Sequence, residues 1–291
     1  MTFIRFFMIL FPPCRIPYFC PATVIHLLMR ISIVQSALSW ENPAANRAMF
    51  SEKIAGLRGN TDLVVLPEMF TTGFSMNTTL LAEPMDGPTI LWLQNEANSL
   101  GAAIVGSFIC VDGGKYHNRL VFMRPDGRFE VYDKKHLFSL AGEQEHFAPG
   151  KKRVTVEWMG WRICPLICYD LRFPAWSRNS PGSFVSGLEP LYDLLIYVAN
   201  WPSRRAHHWR SLLTARAIEN QAFVAGVNIV GTDGAGLEYE GDSAVIDFGG
   251  GPFFQISGRE DVLTAELSLD NLQQYRRQLP FLQDADVFQL C

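Results

Sequence analysis

Residues 162–174 read Arg-Ile-Cys-Pro-Leu-Ile-Cys-Tyr-Asp-Leu-Arg-Phe-Pro, and the rest of the chain is organised around this stretch. It begins as an apolar run short enough for a buried strand and ends in a polar cluster before Pro174, which suits a helix start. Cys168 lies at this junction, where a thiol faces a crevice and the amides of a following helix favour the reactive thiolate. Free cysteine is also among the most buried residue types, so the stretch alone favours a structural cysteine.

Composition places the chain among globular proteins that act on small molecules. Its 291 residues are 48% hydrophobic and 19% charged, and a net charge of -4 without a long Lys/Arg run argues against nucleic-acid partners. Six scattered cysteines are too few for a disulfide framework, which favours reduced thiols and a cytoplasmic protein. Cys164 is interpreted as a core residue, and no metal site is expected because its spacing to Cys168 fits neither a redox pair nor half of a zinc site.

The first 28 residues differ from the rest in being rich in aromatic residues and proline. Their apolar run is too short to span a bilayer, so no membrane partner is expected. They resemble a signal peptide only weakly, because no small-x-small cleavage site follows. We predict that residues 1–28 are an extension from a start assigned too early, with Met29 the natural start, and a secretory segment is the alternative.

Predicted strands and helices alternate from Met29 onward and then give way to hairpins. Strands are predicted at residues 31–35, 62–66, 102–108, 116–123, 128–132, 154–158, 161–167, 194–199, 222–229, 243–248 and 262–267, and helices at 43–56, 89–100, 206–221 and 269–278. The glycine-rich segment 249–252 is predicted to be a loop. This mixture of crossovers and hairpins favours one α/β domain, residues 29–291, with two packed sheets and helices outside.

Three residues with reactive side chains each follow a predicted strand. Glu68 comes after a buried strand, where desolvation can turn a glutamate into a general base, although a solvated loop acid is the plainer interpretation. Lys134 ends a hairpin strand and could stabilise an oxyanion. It and Lys135 point to opposite faces, and paired lysines on a hairpin edge more often prevent aggregation. Cys168 is the candidate nucleophile.

Other polar and aromatic residues carry weaker signals. Histidines offer a Cys/His arrangement, but none lies in a recognisable protease pattern. Trp201 follows another strand end and is a candidate for a pocket wall or, equally, for the core. In the next predicted helix, a stripe of apolar residues indicates packing, and Arg216 is spaced to pair with Glu219.

Three segments together resemble the signature motifs of the nitrilase, or carbon-nitrogen hydrolase, superfamily. They are residues 66–74 (Leu-Pro-Glu-Met-Phe-Thr-Thr-Gly-Phe), 132–138 (Tyr-Asp-Lys-Lys-His-Leu-Phe) and 167–174 (Ile-Cys-Tyr-Asp-Leu-Arg-Phe-Pro). The resemblance runs from about Met29 to the end of the chain. It implies a four-layer αββα sandwich that commonly forms a homodimer through helix contacts.

The resemblance also implies roles for individual residues. Glu68 matches the general base, Lys134 the oxyanion-stabilising lysine and Cys168 the nucleophile. Glu143 matches a second glutamate near the lysine, with Glu145 as the alternative. The amide of Tyr169 would complete the oxyanion site.

Within the superfamily, the sequence around Cys168 is most similar to that of bacterial omega-amidases, which hydrolyse the terminal amide of 2-oxo acids such as 2-oxoglutaramate. This similarity implies a small-molecule amide substrate, a cysteine thioester and no metal or organic cofactor. Arg172 is the candidate partner of an anionic substrate, or else a structural ion-pair residue. The alternatives are hydrolysis of another linear amide or a nitrile, and a non-catalytic binding protein that kept the fold.

Overall fold

The computed structural model describes residues 27–179 and 190–286, which form two β-sheets and the helices that cover them. In chain order, the strands are β1 (Leu28–Gln35), β2 (Leu63–Val65), β3 (Ala103–Asp112), β4 (Lys115–Met123), β5 (Phe129–Asp133), β6 (Val156–Trp158), β7 (Trp161–Ile167), β8 (Leu194–Val198), β9 (Phe223–Val227), β10 (Val230–Thr232), β11 (Glu238–Ile246), β12 (Pro252–Ser257) and β13 (Asp261–Ser268). The helices are α1 (Pro43–Ile54), α2 (Thr78–Leu81), α3 (Pro88–Leu100), α4 (Glu143–His146), α5 (Pro174–Ser177), α6 (Ala206–Asn220) and α7 (Leu269–Gln278).

Each sheet has a parallel centre and antiparallel edges. The first sheet has the order β13-β1-β2-β3-β4-β5, and the second has the order β10-β11-β9-β8-β7-β6, with β12 paired to β11. Strands β1, β2 and β3 are parallel, as are β7, β8 and β9. In sheets of this kind, ligands bind beyond the carboxyl ends of the parallel strands. The chain therefore has two such edges on which to build a site.

The alternation of side chains along the first sheet explains the layering. Ile31 and Ile33 of β1 belong to the core that also contains β7 and β8, whereas Val34 belongs to the core beneath α1 and α3. Successive side chains of a strand point to opposite faces, so a strand that is apolar on both faces must be covered twice. The predicted αββα sandwich is confirmed, with α1 and α3 outside one sheet and α6 outside the other.

Helix α6 packs through the apolar stripe that the sequence predicted. Trp209, Leu213 and Ala217 are fully buried in the core of the second sheet. The predicted pair also forms, with Arg216 Nη1 2.9 Å from Glu219 Oε1. At the start of α1, the Asn42 side chain accepts a hydrogen bond from the Ala45 amide, as expected of a helix cap.

The sequence prediction was wrong in the region after β9. Strand β12 occupies part of the segment between two predicted strands, and the short β10 was also missed. Glycines at 249–251 correctly indicated a turn, in which Asp247 Oδ1 accepts hydrogen bonds from the Gly249 and Gly251 amides. This turn closes a β11–β12 hairpin, because Pro252 begins a strand that pairs antiparallel with β11.

The predicted extension lies mostly outside the residues that the structure describes. Strand β1 begins at Leu28, one residue before Met29, and residues 1–26 are not among those described. The prediction about the start therefore stays a prediction. Within residues 27–179 and 190–286, no helix is both long and apolar enough to cross a membrane.

Three cysteines of the described residues are free and buried: Cys110, Cys164 and Cys168. Cys164 lies in the core on β7, as the sequence predicted. Burial raises the pKa of its thiol to about 12 and that of Cys110 to about 11. Both thiols are therefore protonated in the folded protein at neutral pH.

We expect the protein to lose stability at alkaline pH through these thiols. A Cys164 pKa of about 12, above the ordinary 9.0, contributes stability that is complete below the ordinary value and is lost as pH rises. Raising the pH from about 9 to about 10.5 should remove roughly 2 kcal/mol through this group. Denaturant unfolding at both pH values measures the loss, and it should be smaller by that amount in Cys164→Ala. An equal loss in both proteins would contradict this account.

Candidate active site

The candidate site lies between the two sheets, where residues that follow four strands meet. Glu68 follows β2 and Lys134 follows β5, both in the first sheet, while Cys168 follows β7 and Asn200 follows β8 in the second. Glu68, Lys134 and Cys168 are thus brought together from three separate motifs, as the sequence predicted. Asn200 was missed as a site residue, although its place after a strand end carried the same signal.

Lys134 is buried in contact with two carboxylates. Its Nζ lies 2.9 Å from Glu68 Oε1, and 3.0 and 2.9 Å from the two carboxylate oxygens of Glu143. None of the three side chains is exposed to solvent. Burial alone would lower the pKa of Lys134, but the charges of Glu143 and Glu68 outweigh it and raise the pKa. Lys134 is therefore an ammonium group in this state.

Further hydrogen bonds fix the two carboxylates. Glu68 Oε1 accepts a hydrogen bond from the side-chain Nδ2 of Asn118 at 2.8 Å, and Oε2 accepts one from the backbone amide of Asn200 at 2.8 Å. Glu143 Oε2 accepts from the Phe138 amide at 2.6 Å. Burial raises the pKa of Glu143, and the nearby Glu68 charge adds to this while Lys134 opposes it. Both carboxylates are thus held by donors from loops as well as by the lysine.

The structure decides between two pairs of neighbouring candidates, Glu143 or Glu145 and Lys134 or Lys135. Glu143 is fully buried against Lys134, whereas Glu145 is exposed. Lys135 points away from the carboxylates and places its Nζ 5.5 Å from the centre of the Trp176 ring. The second glutamate beside the lysine is therefore Glu143.

Two residues at the site adopt a left-handed backbone. Cys168 and Met69 each have φ of 42°, a conformation that side chains with a β-carbon seldom adopt. At Met69 the turn directs the backbone so that its amide donates to Ser107 Oγ at 2.8 Å. At Cys168 the chain leaves β7 and enters a 3-10 turn over Cys168–Arg172. Such strain persists only where surrounding contacts hold it, and it is frequent at active sites.

The protonation state of the Cys168 thiol differs from what the sequence led us to expect. We expected a following helix to favour the thiolate, but Cys168 lies in a short 3-10 turn, and α5, which begins at Pro174 as predicted, is only four residues long. Burial raises the pKa of Cys168 well above the ordinary value, and the charge of Glu68 raises it further while the charge of Lys134 opposes the change. The thiol of Cys168 is therefore protonated in this state.

Asp170 connects the segments that carry Lys134 and Cys168. Its fully buried carboxylate accepts from the Ile167 amide at 3.1 Å and from Tyr132 Oη at 2.7 Å. It also accepts from the His136 amide at 3.0 Å and lies 2.7 Å from His136 Nδ1. One carboxylate thus fixes the chain on both sides of the lysine and next to the cysteine.

A small pocket of about 100 Å³ opens above Cys168 and Lys134. Tyr169, Arg172 and Trp201, which the sequence predicted as binding residues, all line it. Trp201 also packs on Trp209 in the core, with ring centres 5.6 Å apart, so the residue lies both on the pocket wall and against the core. Sequence reasoning missed several other wall residues, including Phe74, Phe138, Arg204, Arg205, Leu237 and Tyr239.

Arg172 does not have the carboxylate partner that a structural ion pair would need. Within the described part of the chain, no Asp or Glu forms an ion pair with it. Its guanidinium lies 4.7 Å from the centre of the Trp201 ring, and Nη2 is 3.1 Å from His208 Nδ1.

No group of three or more potential metal ligands occurs in residues 27–179 and 190–286.

Comparison with known proteins relates this geometry to one family. The model of the carbon-nitrogen hydrolase family matches residues 30–277. Omega-amidase YafV of Escherichia coli strain K12 is 44% identical over 267 residues, covering 90% of this chain and 98% of that protein. The 2-oxoglutaramate amidase of Bacillus subtilis strain 168 is 32% identical over 257 residues, covering 87% and 96%.

A solved structure is similar over nearly the same length. XC1258 of Xanthomonas campestris, a CN-hydrolase superfamily protein with an arsenic adduct in its active site, is 47% identical. It superposes with a TM-score of 0.88 and covers 91% of this chain and 99% of its own. The two-sheet architecture is therefore shared with this relative.

We expect Asp170→Asn to loosen both segments that this residue joins. An amide group would face donors that now meet carboxylate oxygens, and losing part of a buried charged network costs about 3 kcal/mol. For a domain of this size the melting temperature should fall by about 6–12 °C. Hydrogen exchange should accelerate at both Ile167 and His136.

The matched control is Asp126→Asn, in the exposed turn between β4 and β5. This change should leave the melting temperature and both exchange rates unaltered. Faster exchange in only one of the two segments of the Asp170→Asn protein would contradict the bridging role.

Proposed function

We propose that this chain, which belongs to the carbon-nitrogen hydrolase family, is an omega-amidase. It would hydrolyse the terminal amide of 2-oxo acids such as 2-oxoglutaramate to the 2-oxo dicarboxylate and ammonia. The relatives named omega-amidase and 2-oxoglutaramate amidase support this substrate class. The observation that carries the proposal is the buried Lys134, held by Glu68 and Glu143 beside the thiol of Cys168.

In the first half of the proposed reaction, Cys168 Sγ attacks the amide carbon while its proton passes to Glu68. The carbonyl oxygen becomes an oxyanion, which the Lys134 ammonium and the Tyr169 amide stabilise. The carbon–nitrogen bond then breaks, and the nitrogen takes the proton from Glu68 and leaves as ammonia. The acyl group remains on the sulfur as a thioester. This sequence suits a thiol that is neutral at rest and a carboxylate adjacent to it.

In the second half, water replaces ammonia in the site. Glu68 takes a proton from the water as its oxygen attacks the thioester carbon, and the oxyanion forms in the same position. The carbon–sulfur bond breaks, the carboxylic acid is released, and Glu68 returns the proton to Cys168. Glu68 is therefore the base and then the acid in each half of the cycle. No step calls for a metal ion or an organic cofactor.

Glu143 would act through Lys134 in this scheme. Its two oxygens lie 3.0 and 2.9 Å from the ammonium, so they keep it charged and fix its direction. The raised pKa of Lys134 excludes a role as a base near neutral pH. The lysine is thus suited to donate hydrogen bonds to an oxyanion.

The proposed setting of the enzyme is a cytoplasmic homodimer without nucleic-acid partners. Free thiols at Cys110, Cys164 and Cys168 suit a reducing compartment. The dimer is inferred from the family resemblance, and sedimentation of the purified protein tests it.

We expect Cys168→Ala to abolish the reaction by removing the nucleophile. The turnover number should fall roughly 10⁴-fold or more. Brief exposure to substrate should add the mass of one acyl group to the wild-type protein and none to this variant. Cys164→Ala is the matched control, and it should keep both turnover and the acyl adduct. Undiminished hydrolysis by Cys168→Ala would refute the mechanism.

The substrate assignment has a separate test. Steady-state ammonia release should be fastest with 2-oxoglutaramate, when it is compared with glutamine, a simple aliphatic amide and a nitrile. A preference for one of the other three would refute the omega-amidase assignment and leave the thioester chemistry in place.

A further inference from the structure

Trp40, which follows β1, packs between two loops that contribute walls to the pocket above Cys168. Its half-buried indole meets a glycine in each loop. A β-carbon placed on Gly234 would overlap Cδ1 and Nε1 of the indole, and one placed on Gly73 would lie 3.0 Å from Cε3. The five-membered ring therefore packs against the β10–β11 turn of the second sheet, and the six-membered ring packs against the loop after β2 of the first.

Glu41, the next residue along the chain, ties the loop after β2 to the same segment. Its backbone amide donates to the Thr72 carbonyl at 2.9 Å, and its carboxylate accepts a hydrogen bond from Ser75 Oγ. Phe74 lies between these two contacts and lines the pocket. The Lys134 ammonium lies 5.1 Å from the centre of the Phe74 ring. This loop therefore supplies one wall of the pocket and is held next to the lysine.

Asp233 makes the β10–β11 turn a rigid unit. Its Oδ1 accepts a hydrogen bond from the Leu237 amide at 2.9 Å, and its Oδ2 accepts one from Tyr239 Oη at 2.9 Å. Leu237 and Tyr239 both line the pocket. A displacement of Gly234 against Trp40 is therefore passed on to this second wall.

An indole is suited to hold two loops at a fixed spacing. It is large, flat and rigid, with only two side-chain torsions. Both of its contacts are with backbone, because glycine allows a loop to approach this closely. No change of rotamer in either loop can absorb a movement of the ring, so the position of the ring is linked to the position of both walls.

We propose that Trp40 is a positioning residue that sets the spacing of these two walls and thereby the length of the amide that the pocket accepts. The inference rests on the proposed function, which supplies the substrate class and its five-carbon chain. The cavity is only about 100 Å³, so a small shift of one wall changes which acyl chain fits. A well-packed apolar wall discriminates against one extra methylene by about 10-fold or more.

The test compares kcat/KM for two amides that differ by one methylene, glutaramate and adipamate. The wild-type protein should prefer glutaramate by about 10-fold or more. In Trp40→Ala this ratio should fall to about 3-fold or less, because the walls are no longer held at one spacing, and the loss on glutaramate should be mostly in KM. Trp40→Phe should keep part of the preference, because an aromatic ring still lies between the glycines.

Gly234→Ala perturbs the same contact from the other side. Its new β-carbon overlaps the indole, so kcat/KM for glutaramate should fall about 10-fold when Trp40 is present. In the Trp40→Ala protein the same change should lower the value less than about 2-fold, because no indole remains to overlap. Trp158→Ala is the matched control. It removes another half-buried tryptophan, on β6 at the opposite edge of the second sheet from β10, and should leave the ratio unaltered.

An unchanged ratio in Trp40→Ala would overturn the inference, as would a wild-type protein without any length preference. An equal change of ratio in Trp158→Ala would overturn it as well, because it would indicate a general loss of stability. Equal effects of Gly234→Ala with and without the indole would show that the turn does not act through Trp40. A wild-type optimum at another chain length would count against the omega-amidase assignment, and the inference would still be decided by whether Trp40→Ala weakens that optimum.

Discussion

The contact that the site depends on most is that of the Lys134 ammonium with two carboxylates in a space from which water is excluded. A buried ammonium is costly unless charged partners surround it, and here Glu68 and Glu143 lie within 3.0 Å of it. Each partner comes from a different part of the chain, so the lysine holds the end of β2 and the α4 turn against the end of β5. Removing the lysine would leave two buried carboxylates without a cation, whereas removing either glutamate would leave the ammonium with a single carboxylate partner.

The same arrangement controls the chemistry of the neighbouring thiol. Glu68 is next to Cys168 as well as Lys134, and its negative charge helps to keep the thiol protonated. The proposed reaction therefore starts from a neutral thiol and a carboxylate rather than from a preformed thiolate. The backbone amide of Asn200 and the side-chain amide of Asn118 donate hydrogen bonds that hold Glu68 between the lysine and the cysteine. In the proposed reaction, a carboxylate held in this way can return the proton at each step.

Local sequence chemistry predicted most of the framework. Alternation and turn residues located the strands of both sheets, and apolar spacing predicted the packed face of α6. Strand β12 was missed because a glycine-rich segment followed by proline is typical of a loop, and its pairing with β11 is a tertiary contact. The helix dipole argument for Cys168 failed because the chain forms one 3-10 turn there, and burial outweighs so short an element.

The sequence by itself determined the three motifs, their order and their positions after strands, because strand ends and reactive residue types are local properties. Only the tertiary structure decided between Glu143 and Glu145, which are two residues apart on a short turn, since burial beside Lys134 depends on the packing of the loop. The same holds for Arg205, which has no motif of its own. Its place on the pocket wall follows from how the two sheets bring distant turns together.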